Sequence, residues 1–311
     1  MPPIEERLAL AERTMRALVD EAELPAKIGL HPRPADSFAH AMPAHLRDAA
    51  GVSDLVGMKW VLGFPANNEL GLPGIHGTIL LNDPRTGVPI AIIDAGPITA
   101  QRTAAVSGIA IRNWAPRVTG RAPRAALIGA GAQGHSHLPI LAHLLPGLEL
   151  RLFDSDRQRA DALAAAARLI RGVGSVTVTG SAREAVADAD VIITAASFGP
   201  VRQVMTNDWL APEVLVVPVD YATYAAAEIA REASLFLVDE RGQFLANRAA
   251  GLFEGYPDPR ATIGEALGSG TARPGGRVLV THLGVGLSDV VFGDAILQAA
   301  NRAGRGVVLP R

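Results

Sequence analysis

The stretch from Arg124 to Asp154 limits the possible folds more than any other. Residues 125–128 are a short apolar run, Gly129, Gly131 and Gly134 follow in G-x-G-x-x-G spacing, residues 138–145 carry a helical pattern, and a second apolar run closes on Asp154. Strand, glycine turn, helix and strand in that order make a dinucleotide-binding unit in which each glycine has its own task. The first makes the tight turn, the second lets the backbone approach a pyrophosphate, and the third lets helix and strand pack closely. The helix start then offers N–H groups and the positive end of its dipole to phosphates. Asp154 lies twenty residues beyond Gly134, where a carboxylate accepts hydrogen bonds from a ribose 2′-hydroxyl and repels a 2′-phosphate. The expected site comprises Gly129, Gly131, Ala132, Gln133, Gly134 and Asp154, with NAD as cofactor; Arg157 and Arg159 keep NADP open as the alternative.

Beyond Asp154, strands and helices continue to alternate. Apolar runs at 175–178, 191–197, 214–219, 235–239 and 277–284 are separated by helical segments, which predicts a Rossmann-type doubly wound parallel sheet. Such sheets bind ligands outside the carboxyl ends of their strands. Thr194, Ala195 and Ser197 are therefore expected beside the cofactor, and Asp220, at the end of the next strand, is a candidate for chemistry. Its structural alternative is to cap a helix running on from Tyr224. His135 and His137 are two apart on a helix and so do not share a face; they read as solvent-facing or capping residues, not a metal pair. No metal site is expected.

With 311 residues, 49% of them hydrophobic, the chain can bury two cores. The expected division puts a dinucleotide domain at 116–287 and a second, α+β domain for substrate binding and dimerisation at 1–115 plus 288–311. The net charge of -2 and the lack of a basic run argue against nucleic acid or an anionic membrane as partner. The absence of cysteine excludes disulfides, thiolate metal sites and a cysteine nucleophile. Residues 1–7 are charged rather than the apolar core of a signal peptide, and the apolar runs are short and interrupted. The expectation is a cytoplasmic enzyme acting on a small molecule.

Among 29 Lys and Arg residues only Lys27 and Lys59 are lysine. Where any positive charge would serve, this chain uses Arg, so each lysine reads as a position needing a compact or deprotonatable ammonium. Lys27, Gly29 and His31 alternate along an extended stretch and share a face, a candidate pocket lining. Lys59 sits inside an apolar strand, where it either snorkels at an edge or works in a site with its pKa lowered by burial. Residues 78–82 and 90–94 flank a turn sequence and read as a hairpin. A helix opening at Pro97 and capped by Thr99 would set Arg102 and Thr103 in its first turn. A cation there opposes the dipole, so Arg102 reads as an anion binder, with an ordinary ion pair as the alternative.

Together these residues resemble the ornithine cyclodeaminase/mu-crystallin family over nearly the whole chain. The likeness rests on Leu24–Lys27, Met42–Ala44, Gly57–Trp60, Gly71–Pro73, Thr86–Pro89, Ile98–Ala105, Gly129–Gly134 and Val219–Asp220. It implies that Lys59, Arg102 and Lys27 hold a substrate carboxylate while Asp220 acts near an amino or imino nitrogen. Lys27 stands where many members have Arg, which turns a bidentate clamp into a point charge. Asp220 is followed by Tyr221–Tyr224, unlike the Gly-Lys type of sequence in ornithine cyclodeaminases. Residues 27–34, 40–44 and 251–257 are instead similar to a branch with ectoine-catabolism members and iminosuccinate reductase.

The resemblance and the residues together point to an NAD(H)-dependent imine reductase or amino-acid dehydrogenase, in which hydride passes between nicotinamide C4 and the substrate α carbon. The expected catalytic residues are Lys59, Asp220 and Arg102. Lys27, His31, Arg33 and Met42 are expected at the substrate, and Arg102 and Thr103 also at the cofactor. The alternatives are a cyclodeaminase with catalytic NAD and a non-catalytic mu-crystallin-like binding protein. Lys27, His31, Arg33, Lys59 and Arg102, if they converge on an interdomain cleft, favour a dicarboxylic imino acid such as iminosuccinate. Otherwise His31 and Arg33 face solvent or pair with Asp36, leaving a one-carboxylate site. A homodimer is expected because Gly77–Leu81 would leave an exposed sheet edge in a monomer.

Overall fold

The computed structural model describes residues 1–48, 53–197 and 201–308. They form two compact units, Met1–Arg102 with Gly284–Arg311, and Thr103–Leu283. Packing thus divides the chain inside a long helix and at residue 284, not after 115 and before 288 where the sequence patterns change.

The first unit opens with helix α1 (Ile4–Ala17), whose Leu8, Ala11 and Met15 lie on one buried stripe. Strands β1 (Ala22–Glu23), β2 (Ile28–Leu30), β3 (Phe38–Leu46), β4 (Leu55–Gly63), β5 (Ile75–Asn82) and β6 (Pro89–Asp94) follow. They make an antiparallel sheet in the order β1-β3-β4-β5-β6, with β2 also paired to β3. Directly opposed residues share a face, so Met42, Lys59, Ile79 and Ile93 form one row across β3 to β6. The same registers put Pro43, Met58, Leu80 and Ile92 in a row on the opposite face. β5 is paired on both sides, so the expected exposed edge at Gly77–Leu81 does not exist; what this sheet exposes is the apolar row ending at Ile92, which is 65% exposed.

Helix α2 (Ala95–Trp114) carries the chain into the second unit. There β7 (Arg124–Ile128), α3 (Ala132–Leu144), β8 (Leu148–Phe153), α4 (Arg157–Arg168), β9 (Val173–Val178), α5 (Ala182–Val186) and β10 (Val191–Thr194) are followed by β11 (Leu215–Pro218) and α6 (Ala227–Glu232). The unit ends with β12 (Leu235–Val238), α7 (Arg241–Ala249), β13 (Ala261–Thr262), α8 (Ile263–Gly268) and β14 (Val278–Thr281). Every residue of β10, β11, β12 and β14 is buried, as expected of strands covered on both faces. The eight strands are parallel and ordered β13-β12-β14-β11-β10-β7-β8-β9. Chain direction across the sheet reverses between β7 and β10, the switch point where such sheets bind ligands. The chain then returns to the first unit as α9 (Gly286–Arg302), which packs over β3, β4 and β5 beside α1.

Candidate active site

At the switch point the three loop glycines answer to different constraints. Gly129 has φ +104°, and a Cβ there would lie 2.4 Å from the Ala195 carbonyl oxygen, while one on Gly134 would lie 2.2 Å from the Gly129 carbonyl. The protein itself demands glycine at both. A Cβ on Gly131 would meet no atom of the described residues within 4 Å, which leaves the space for a close-approaching pyrophosphate. Gly131 is the N-cap of α3 and makes no side-chain cap, so the helix start keeps backbone donors for an anion. Asp154 is fixed beside this loop by accepting from the amides of Ala130 at 2.7 Å and Asp156 at 2.8 Å, and it is only half-buried. A carboxylate has acceptor capacity left after two such bonds. Arg157 and Arg159 are engaged by Asp161 and Asp156 on the exposed side of α4. This loop fits a dinucleotide with a free ribose hydroxyl.

Asp220 follows β11 and is 1% exposed, yet neither of its carboxyl oxygens completes a hydrogen bond. Burial raises its pKa to about 6, offset in part by the Thr194 hydroxyl and the amides of Ala196, Tyr224 and Thr223 that face it. Asp220 caps no helix, since α6 starts only at Ala227. The next two residues, Tyr221 and Ala222, have φ of 52° and 60°, a left-handed backbone costing about 1–3 kcal/mol per non-glycine residue. The Tyr221 hydroxyl donates to the Leu283 carbonyl at 2.9 Å, and the Gln203 amide donates to the Ala222 carbonyl at 3.1 Å, which together hold that turn. A buried acid whose donors among the described residues stop short of complete hydrogen bonds, presented on a strained turn at the carboxyl end of a parallel strand, has the form of a catalytic group.

In the first unit Lys59 is not at a sheet edge. β4 is an interior strand, and the side chain points to the face covered by α9. Its ammonium lies 2.6 Å from Asp289 Oδ2, and Arg102 Nε lies 3.3 Å from Asp289 Oδ1, with all three side chains nearly or fully buried. Burial lowers the Lys59 pKa to about 7; Asp289 opposes this, and Arg102 and Lys27 add to it. Arg102 is not in a first helical turn as expected. Asp94 accepts from the Gly96 amide at 2.9 Å and starts α2 at Ala95, so Arg102 lies two turns in. Its guanidinium instead lies over Gly284, where a Cβ would sit 2.3 Å from a terminal nitrogen and φ is +77°. While Lys59 is protonated, two cations share one internal carboxylate and the site carries unbalanced positive charge; above about pH 7 Lys59 loses its proton and the Arg102–Asp289 pair is balanced.

A family model matches residues 2–242 and bears the description ornithine cyclodeaminase/mu-crystallin family. The chain belongs to that family. It is 32% identical to the nodulation efficiency protein NfeD of Rhizobium meliloti, over 99% of this chain and 94% of that one. It is 29% identical to the ketimine reductase mu-crystallin of Mus musculus, over 84% of this chain and 80% of the relative. The Thermococcus litoralis Δ1-pyrroline-2-carboxylate reductase, solved with NADH and L-proline, shares the fold with TM-score 0.86 at 24% identity, covering 99% and 96% of the two chains.

Not every residue that the sequence nominated lies with these groups. In this family member Met42 is buried directly opposite Lys59 across β3 and β4. Lys27 is half-buried and, with His31 and Lys59, acts electrostatically on His40, whose pKa is lowered to about 4 mainly by burial. His31 and Arg33 are exposed, as are Ala132 and Ser197, whereas Thr103 and Thr194 are buried and Gln133 and Ala195 half-buried. His137 does not face solvent. It is fully buried and bonds the Ser107 hydroxyl through Nε2 at 2.8 Å; Ser107 also bonds His282 Nε2 at 2.9 Å. His137 Nδ1 lies 2.6 Å from the Gln133 carbonyl, an acceptor, so Nδ1 carries the proton, Ser107 donates to His137, and His282 donates to Ser107. This chain of bonds ties the glycine loop to α2 and to the end of β14.

Asp289, Gly284, Ser107 and His282 were not recognisable as site residues from sequence. The one available signal was Asp289 itself, the sole charge in the apolar stretch 283–292. Among the described residues no group of three or more His, Cys, Asp or Glu is arranged to hold a metal, and no helix is long and apolar enough to cross a membrane.

Proposed function

We propose that the protein is an NAD(H)-dependent imine reductase that converts an α-imino acid to the amino acid, and that it runs the reverse oxidation when product is in excess. The observation that carries the reading is the buried pair of cations Lys59 and Arg102 around a single internal carboxylate, in a chain that also has the glycine loop of a dinucleotide site. A buried net charge of this kind calls for a ligand anion, and an α-carboxylate supplies it. NAD(H) held at the glycine loop by Gly129, Gly131 and Gly134 would supply or accept the hydride exchanged at the substrate α carbon. Asp220, poised near pH 6 by burial, gives a proton to the imino nitrogen on reduction and takes it back on oxidation. Asp154 supports NAD over NADP, because its carboxylate would repel a 2′-phosphate. The kinship with a ketimine reductase points the same way. The cytoplasm is the compartment that suits this cysteine-free chain and its cofactor.

The test is NADH absorbance with a panel of 2-oxo acids plus ammonia. The reading requires NADH to disappear in proportion to amino acid formed. Ammonia release from ornithine with no net change in NADH would establish cyclodeamination instead, and tight NADH binding with no turnover would establish a binding protein.

A finer reading is that the substrate carries a second carboxylate, as iminosuccinate does. Its support is the field of Lys27, His31 and Lys59 felt at His40; against it, His31 and Arg33 are exposed, the arrangement expected of a one-carboxylate site. Comparing kcat/KM for oxaloacetate and pyruvate, each with ammonia, tests it; equal or better use of pyruvate rejects the dicarboxylate. We also propose a homodimer, formed through the apolar outer face of the first unit's sheet.

A further inference from the structure

We propose that Asp289 is a positioning residue that locks the Lys59 ammonium and the Arg102 guanidinium into one prearranged receptor for a substrate anion. The role is stated for the imine reductase reading, on which it rests. The geometry divides Asp289 between its two partners, with Oδ2 taken by Lys59 at 2.6 Å and Oδ1 by Arg102 at 3.3 Å. Arg102 engages Asp289 through Nε, while its terminal nitrogens run along Gly284, where any larger residue would overlap them. That terminal edge is the fork with which arginine grips carboxylates.

Asp289 lies in the first turn of α9, where the helix dipole favours an anion. Gly286, one turn earlier, lets that helix start close against β3: a Cβ there would lie 2.5 Å from the Met42 carbonyl. The helix thereby delivers Asp289 to the row that holds Met42 and Lys59. As a device for stability the cluster is poor, since a buried ion pair recovers its desolvation only with good geometry and an apolar set of similar volume serves the fold as well. As a receptor it has the needed property: two cations are held in register by one anion, and one positive charge is left over while Lys59 is protonated.

The charged groups facing Lys59 are Asp289 on α9, Arg102 on α2 and Lys27 ahead of β2, with the titratable but neutral His40 on β3. Only Asp289 favours the ammonium. Substrate capture through Lys59 is therefore strongest below about pH 7 and weakens as pH rises through that value. Removing the Asp289 charge moves this alkaline limb to lower pH.

The experiment uses the full-length protein loaded with NADH and the Asp289→Asn variant. The variant is expected to raise KM for the 2-oxo acid plus ammonia by about thirtyfold or more, as when one partner of a buried charge pair is truncated. KM for NADH should stay at the wild-type value, and the alkaline limb of kcat/KM should move down in pH. Wild-type KM for the 2-oxo acid with an unmoved limb overturns the proposal. If Asp289→Asn shows no cooperative melting transition, Asp289→Glu decides, because it keeps the charge and displaces both cations. A raised KM with the wild-type pH profile is expected of it, and a wild-type KM overturns the proposal. Calorimetric titration with oxalate separates this idea from the functional reading. Oxalate binding that is lost in the variant, in a protein that never oxidises NADH, rejects the reductase and leaves the receptor standing.

Discussion

Burial shifts the titration of Asp220 and Lys59 in the candidate site, and each leaves a pH signature. The Asp220 carboxyl has an ordinary value of 3.8 and a folded value of about 6. The folded protein therefore disfavours the carboxylate, and stability falls as pH rises from about 4 to about 6, then levels off. Asp220→Asn should melt like wild type near pH 4 and higher than wild type at pH 8, by up to about 3 kcal/mol, while reduction of the imino acid is lost. Lys59 titrates in the folded protein near 7 instead of 10.5. The unfolded chain binds the extra proton between those values, so wild-type stability rises from pH 7 to 10.5. Lys59→Met leaves a charge-balanced Arg102–Asp289 pair and should abolish turnover without lowering the melting temperature at pH 6, while losing that rise at higher pH. A large drop in melting temperature at pH 6 would show that Lys59 holds the fold instead of straining it. Lys59 was legible in the sequence because lysine is scarce and this one interrupts an apolar strand. Its partner was not, because a single acid at the start of a distant helix carries no local sign of which strand it will meet.

At the scale of elements, local pattern carried the strands and misjudged the helix starts. β4, β8 and β11 appear within two residues of their apolar runs, since period and burial are written in the residues themselves. α2 starts at Ala95 because Asp94 satisfies the Gly96 amide, with Pro97 tolerated in the first turn; the sequence offered Thr99 as an equally good cap. The start of α9 at Gly286 is set by a close approach to β3, which is a tertiary fact. His137 is buried for a similar reason: its partners Ser107 and His282 come from α2 and the end of β14. The glycine loop yields a prediction that separates folding from binding. Gly134→Ala drives a methyl into the Gly129 carbonyl at 2.2 Å and should unfold the second unit or sharply lower its melting temperature. Gly131→Ala meets no atom of the described residues within 4 Å and should melt like wild type while weakening NADH binding about tenfold or more. Unchanged NADH affinity in a well-folded Gly131→Ala protein would remove the dinucleotide from this loop.

For the whole molecule, the parallel sheet could be read from alternating strands and helices, and the family from motifs spread along the chain. The surface of the proposed dimer could not, because edge or face depends on pairings that sequence does not show. With β5 paired on both sides, the expected edge is gone, and the row Pro43, Met58, Leu80 and Ile92 on the outer face takes its place. Ile90 and Ile92 are 46% and 65% exposed, and apolar side chains clustered on one flat sheet face mark an interaction surface. Two copies packed face to face bury the same patch on each, the self-complementary contact of a two-fold dimer. Light scattering of the wild type should give twice the 32.4 kDa chain mass. Ile92→Glu should give the chain mass with little loss of monomer stability, because the side chain is largely solvated in the single chain. Chain mass for the wild type at micromolar concentration rejects the dimer. A dimeric wild type whose assembly survives Ile92→Glu moves the interface away from this face.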